Sequence, residues 1–557
     1  MRIDKNKTVK LLAITIVVML MVNCSSDILD QVPKESLTEE TVWTDPAGAT
    51  QFVNGIYGEM QSGFDRNYDW WARGLYILDG ASDDADVGMG WTHSTLLQNG
   101  EFTPDYVPWG NMWTIYYGLA RRANVALENL DRLGEGEAEL RDRLKGETYF
   151  LRGMIYHELL RLFGYRSPGT GENATGVPLI DKSLTLEDDL QIPRASYQEV
   201  VDFIVDDLDM AASLLPAKGE IEAGRATWGA AIALKSRVLL YDEQWGDAAD
   251  AANEVIMSGH YSLFPDYRTL FLTRNNQEVI FAKKFSYPDK YHQSGGGGTQ
   301  NAGWDVYNSP PSYRGPSDGG WGGNLPTQNF VGSYETVNGD PQTTTYPTSQ
   351  NPWTNLDPRF EATVVHDGAM FRGKQVELFE GGIEAEFNTT GYFTRKFHDE
   401  TLIPLYSRAS DQDWIFMRYA EVLLNYAEAK NEASGPDGTV YDAINAIRAR
   451  PNVNMPPLPT GLNQAEMRAK IRNERRIELA FEEHRFFDIR RWGIAENLLN
   501  GPLKGMEITR SGTAGNYTYS YNVVDFEQRQ FPTKLYVLPI PQGEYDKNPE
   551  AEQILGW

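Results

Sequence analysis

Two blocks of helical periodicity, separated by a middle at about 262–410 that cannot be helical, constrain this chain more than any other feature. Trp113, Tyr116, Tyr117, Ala120, Asn124, Leu127 and Leu130 recur at three- and four-residue steps, the spacing of an amphipathic helix. Leu140, Leu144, Leu151, Ile155 and Leu159 mark the next helix, which ends near Gly164. Ser196-Tyr-Gln-Glu199 reads as a capping box opening a helix that runs to Leu215 and stops at Pro216. Ala226 to Tyr241 and Asp247 to Met257 form a pair across a turn at Gln244-Trp245-Gly246, with Ala248, Ala249, Ala251 and Ala252 small enough for close helix approach. Similar pairs are expected at 113–133 with 138–163 and at 414–433 with 439–450, followed by a long helix over 464–483. The pairs are tetratricopeptide-like without a strict repeat length, so the expectation is an irregular helical scaffold.

The middle is different in kind. Ser294 to Gly298, Ser309 to Ser312 and Asp318 to Gly323 are too rich in Gly, Pro and Ser to continue helices, while short runs such as Val279 to Ala282 suit strands. A loop-rich stretch of this length inside an ordered domain is functional or disordered. Trp304, Tyr307, Tyr313, Trp321, Phe330 and Tyr334 argue against a solvated linker, which aromatics normally avoid. The middle is therefore the expected recognition face.

The first 23 residues read as a targeting segment. Arg2, Lys5, Lys7 and Lys10 precede an apolar run from Leu11 to Val22, too short for a mature span of about 20 residues. The run ends at Met21-Val22-Asn23-Cys24, and Cys24 is the one cysteine of the chain. A lone cysteine in an exported protein has no internal disulfide to make, so its role is expected to be that of an acyl acceptor.

The formal charge of −27 argues against nucleic acid, which the net field would repel. The basic residues around Arg475 and Arg490 are interleaved with Glu474, Glu478, Glu482, Glu483 and Asp488, as on a salt-bridged helical surface. The seven histidines are scattered, and HExxH, GxSxG, GKS/T and strand-borne GxGxxG patterns are all missing, so no catalytic residue and no metal ligand is nominated. The acidic run LDGASDDADVG does not match an EF-hand; no cofactor is expected, a surface Ca²⁺ being the one ion left open. A glycoside hydrolase needs only two placed carboxylates and stays as a remote alternative.

TDPAGATQFVNGIYGEM from Thr44, YFLRGMIYHELLRLFG from Tyr149, RVLLYDEQWGDAADAANEVIMSGHYSLFPDYRTLF from Arg237, WIFMRYAEVLLNYAEAKNE from Trp414, AINAIRARP from Ala443, NERRIELAFEEHRFFDIRRWG from Asn473 and the ending LPIPQGEYDKNP resemble, in that order, elements of the SusD/RagB family of nutrient-binding outer-membrane lipoproteins. The resemblance implies a mainly α fold with a tetratricopeptide-like scaffold, about 30–260 and 411–500, and a loop-rich, partly β ligand region between them, all within one domain over 24–557. It implies lipid attachment at Cys24, export to the outer face of the outer membrane, and a SusC-like TonB-dependent transporter as partner. It also implies a glycan cargo, with a peptide cargo as the RagB-like alternative. In the starch-binding member an arc of aromatic side chains follows the glucan; Trp321, in DGGWGGN, and Trp91, after DDADVG, are similar in setting.

Sugar rings present C–H faces to aromatics and hydroxyls to carboxylates and amides. The expected ligand contacts are accordingly Trp91, Trp304, Tyr307 and Trp321 with Asp83, Asp84 and Asn324, whereas Trp113, Trp228, Trp245, Trp414 and Trp492 sit on helical patterns and are expected in the core. Arg475, Arg476, Glu478, Glu482, Arg485, Asp488 and Arg490 are expected to pair with one another rather than touch ligand.

Overall fold

The computed structural model describes residues 39–66, 77–88, 94–108, 111–292, 303–311, 320–343, 346, 350–403 and 405–557. The targeting segment, Cys24, Trp91, Tyr313 and Ser294 to Gly298 lie outside them.

Several helices begin at a side-chain cap. Asp45 accepts from the backbone of Gly48 at 3.0 Å, with Pro46 in the first turn of α1 (Pro46–Glu59). Helices α2 (Asn111–Asn129), α3 (Ala138–Phe163), α4 (Tyr197–Leu214), α5 (Trp228–Tyr241) and α6 (Trp245–Met257) follow. The Ser196–Glu199 capping box opens α4 reciprocally, Glu199 N donating to Ser196 Oγ at 3.2 Å and Ser196 N to the Glu199 carboxylate at 2.8 Å. Each of α3 to α6 packs on its predecessor. The stack crosses the loop-rich middle, because α6 packs on α7 (Tyr419–Ser434), against which α8 (Gly438–Arg448) and α9 (Gln464–Glu478) fold. Leu144, Phe150, Leu151, Ile155 and Leu159 from α3 bury against Val200, Ile204 and Leu208 from α4. Each such side chain is worth about 1.5–3 kcal/mol relative to exposure.

The middle builds its own core. Trp304, Phe330, Tyr334, Phe360, Phe371, Tyr392, Phe393 and Phe397 bury together with Phe64 and Trp414, which explains how a segment poor in regular structure stays ordered. Its sheets are two-stranded: β1 (Ala85–Val87) with β3 (Asn324–Pro326), and β2 (Val279–Lys283) with β4 (Trp414–Arg418), both antiparallel.

Three elements differ from expectation. Trp414 to Arg418 is strand β4, and the helix starts only at Tyr419, since Arg418 is extended at φ −141° with its guanidinium engaged by Glu278, Glu478 and Glu482. The long helix ends at Glu478 because Phe481 (φ 61°) and Glu483 (φ 65°) are left-handed, and a separate helix α10 (His484–Arg491) begins. Glu483 is fixed there by Arg66 at 2.5 and 2.6 Å and by the backbone of Leu78 at 3.1 Å. The third is a long hairpin, β5 (Gly501–Thr513) with β6 (Asn516–Arg529), turning at Ala514-Gly515. Of the expected core tryptophans, Trp113 and Trp414 are buried, while Trp228, Trp245 and Trp492 are half-buried.

The charged signature lies inside the protein rather than on a helical surface. Glu478 accepts from Arg359 (3.0 Å), Arg418 (2.7 Å) and Arg450 (2.7 Å), and Glu278 accepts from Arg418 and Arg450, both at 2.7 Å. Glu482 binds Arg418 and Lys396, and Arg475 binds Asp488 at 2.8 Å. Arg359 and Lys396 come from the middle and Glu478 from α9, so this lattice joins the two cores.

A further buried acid, Glu428 on α7, accepts from both Nη atoms of Arg491 (2.6 and 2.7 Å) and from Trp492 Nε1 (2.7 Å). Burial opposes its charge, but Arg491 outweighs burial and holds the carboxyl down at about 2. Its folded value lies below its unfolded one, so its stabilisation is complete above about pH 4.3 and is lost as pH falls toward 2. Acid unfolding of Glu428→Gln, followed by circular dichroism, should show a shallower loss of stability across that window than the wild type; identical slopes would remove Glu428 from the account.

Candidate functional site

The site is built where β1 and β3 meet. Ala85 pairs with Pro326, Asp86 with Leu325 and Val87 with Asn324, and Gly88 N then donates to Gly323 O at 2.9 Å. This brings the acidic run and the DGGWGGN loop together, as the sequence alone could not show. A Cβ on Gly88 would stand 2.1 Å from Gly322 O, so the approach requires glycine. The Trp321 loop is likewise pinned: Trp321 N donates to Val306 O (3.2 Å), Gly322 N to Ser309 O (3.1 Å) and Gly323 N to Tyr307 O (2.8 Å). Gly322 sits at φ +59° with Phe393 so close that a Cβ would lie 2.9 Å from its ring. Glycines here serve close packing of a fixed loop. On it Trp321 is half-buried, resting on the core of the middle beside the half-buried Tyr307.

The other expected contacts are corrected by the structure. Trp304 is fully buried among Phe64 and Phe397, with Nε1 donating to Lys396 O at 3.2 Å, because it opens the short helix Trp304–Asn308 that packs into the core of the middle. Asn324 is also fully buried and serves as a strand lock: its backbone N and Nδ2 donate to Asn308 Oδ1 (2.9 and 2.7 Å), and its Oδ1 accepts from Ile77 N (3.3 Å).

Asp83 and Asp84 bind arginines instead of ligand. Asp83 accepts from Arg485 Nε (2.8 Å), Arg485 Nη2 (2.9 Å) and Arg476 Nη2 (2.9 Å), and Asp84 accepts from Arg476 Nε at 2.6 Å. Burial works against charge on both carboxyls. At Asp83 the Arg476 and Arg485 guanidiniums prevail and hold the carboxyl well below its ordinary range; at Asp84 burial, aided by the charge on Asp83, pushes it up. From the other side Arg529 donates to the carbonyls of Ser82 and Ala85, while Asp86 accepts from Thr389 at 2.7 Å. The acidic run is thus a clamp that fixes β1, and through β1 the position of the Trp321 loop.

Sequence reasoning missed the β5–β6 hairpin and its aromatic face, Tyr517, Tyr519 and Tyr521. The signal was present: the tyrosines alternate with polar residues at the period of a strand, beyond the turn at Ala514-Gly515. An apolar groove of about 450 Å³, lined by Trp113, Tyr117, Ile180, Leu190 and Ile540, contains none of the expected ligand residues. Among the described residues, no group of three or more His, Cys, Asp or Glu side chains is placed to hold a metal ion, and no helix is long and apolar enough to cross a membrane.

Comparison with known proteins agrees with this architecture. Residues 277–557 match the model of the SusD family, and residues 28–240 match one described as starch-binding associating with outer membrane. The chain is 26% identical over 561 residues to a SusD-like protein of Formosa agariphila, covering 96% of this chain and 97% of that one. Among solved structures it resembles a SusD-like protein from Bacteroides fragilis (29% identity, TM-score 0.77, covering 95% of this chain and all of that one). It also resembles a SusD-like carbohydrate-binding protein from the same organism (27% identity, TM-score 0.77, covering 92% of this chain and all of that one). With over half of its length matched by the family model and its helical scaffold and loop-built face in place, the chain belongs to the SusD family.

Proposed function

We propose that the protein captures a glycan at the loop face around Trp321 and hands it to a SusC-like TonB-dependent transporter at the outer membrane. The observation that carries this reading is the Gly88–Gly323 contact, which anchors the Trp321 loop against the segment leading to Trp91. A sugar ring gains most from an indole already held in place, since little side-chain entropy is then lost on binding. Trp321, on a loop fixed by backbone hydrogen bonds, and Tyr307, on the short helix Trp304–Asn308 to which that loop is bonded, are both half-buried and would offer ring surface. The carbohydrate-binding relative from Bacteroides fragilis supports a sugar cargo over a peptide. We read the protein as a binder without catalysis, whose cargo must be passed to another molecule that crosses the membrane.

Retention of the wild type in gels containing soluble polysaccharides, and its co-purification from detergent with a TonB-dependent transporter, test the two halves of this proposal separately. Isolation only as a lone monomer would contradict the second. Anchoring is tested at Cys24. Cys24→Ala is expected to move the protein from the membrane fraction to the soluble one; a variant that stays on membranes in cells lacking the transporter would remove the tether from the account.

A further inference from the structure

We propose that the β5–β6 hairpin carries a second sugar-stacking platform, formed by Tyr517, Tyr519 and Arg510, so that the site holds an extended chain rather than one terminal sugar. The proposal rests on the glycan reading above. One face of the hairpin presents four cross-strand pairs in register: Met506 with Val523, Ile508 with Tyr521, Arg510 with Tyr519 and Gly512 with Tyr517. At its base this face packs on the body. Met506 and Ile508 are buried, and Tyr521 meets Trp353 edge-on at 5.2 Å. Toward the tip the packing thins: Tyr519 is half-buried and meets Phe379 edge-on at 6.1 Å, and Tyr517 is 41% exposed.

Two features of this face go beyond hairpin stability. The rings of Tyr519 and Tyr521 lie nearly parallel, 11° apart with centroids at 6.4 Å, giving successive apolar ring surfaces along the strand. Arg510 is held between two rings, its guanidinium carbon 3.6 Å from the centroid of Phe379 and 4.3 Å from that of Tyr517. Lys504 pairs with Asp525 and Arg529 with Glu527, yet the Arg510 guanidinium makes no ion pair or hydrogen bond among the described residues. In a chain of net charge −27, an oriented guanidinium left without an acid is a donor edge ready for an outside acceptor. Aromatic faces for C–H surfaces next to fixed N–H donors for hydroxyl and ring oxygens are what a saccharide requires.

The base of the hairpin is joined to the Trp321 loop through the core of the middle. Met506 N donates to Thr390 O at 2.8 Å, the neighbouring Gly391 packs on Met506, and Phe393, two residues on, packs on Gly322 next to Trp321. From Met506 to Gly512 the strand advances about 20 Å at its usual rise. A chain that occupied both Trp321 and Tyr517 would therefore be an oligosaccharide, and each added contact would be made at high effective concentration once the first sugar is bound.

Laminarin, soluble starch, xylan and alginate serve as probes in affinity electrophoresis, followed by calorimetry with short and long oligosaccharides of the polymer that retards the wild type. Tyr517→Ala, at the open end of the face, and Arg510→Gln, which removes a half-buried guanidinium that makes no ion pair, are expected to weaken the long chains roughly tenfold, a loss that widens with chain length. The melting curve of Tyr517→Ala should nearly superimpose on the wild type, and that of Arg510→Gln, which loses its stacking on Phe379, should fall only slightly below it. Wild-type affinity for the long chains in both variants, or an equal loss on short and long ones, overturns the platform while leaving the Trp321 site standing. A wild type that none of the polymers retards overturns the glycan reading, and the platform with it.

Discussion

Glu478→Ala is expected to destabilise the protein by about 3–5 kcal/mol, the usual result of removing one partner from a buried ion pair. Three guanidiniums, from Arg359, Arg418 and Arg450, converge on this one fully buried carboxylate. Burial alone would favour its neutral form, but the three arginines keep it ionised, far below the ordinary glutamate range. Without it, Arg418 retains Glu278 and Glu482, Arg359 retains Asp357 and Glu474, and Arg450 keeps only the acid Glu278, so N–H groups of all three guanidiniums lose their acceptor in a space closed to water. The cost falls on the joint between the two cores, because Arg359 sits in the middle and Arg418 ends β4. Urea unfolding should show a lower midpoint with little change in slope. Sugar affinity per folded molecule should stay unchanged, and a wild-type midpoint would contradict the structural role assigned to this lattice.

Periodicity made the helical scaffold legible, and the Ser196 capping box placed the start of α4 correctly because both of its partners are local in sequence. Where local pattern and long-range contact disagreed, contact prevailed. WIFMR has apolar residues that suit a helix, yet it pairs with Val279–Lys283, and Arg418 is drawn into extended geometry by acids 60 or more residues away. The break after Glu478 depends on Arg66, which binds Glu483 across 417 positions. The same blindness to distance explains the misread site residues. Asp83, Asp84 and Asn324 have the composition of a sugar site, but their partners Arg476, Arg485 and Asn308 come from elements whose proximity no local pattern reports. Trp304 and Trp321 stand in similar glycine-rich settings, and only the fold separates the buried ring from the half-exposed one.

Trp321→Ala is expected to weaken glycan binding by roughly 5- to 150-fold, on the order of 1–3 kcal/mol, the range of a well-placed aromatic anchor. Its backbone hydrogen bond to Val306 and those of its glycine neighbours do not involve the indole, so the loop should keep its position when the ring is removed. Because the ring is half-buried against the core of the middle, a small loss of stability is expected, well below that of Glu478→Ala.

Calorimetry of wild type and Trp321→Ala with the polysaccharide that retains the wild type, read beside their melting curves, tests the central claim most directly. The account predicts a clear loss of affinity with nearly superimposed melting curves. Equal affinities would contradict it and remove Trp321 from the recognition face.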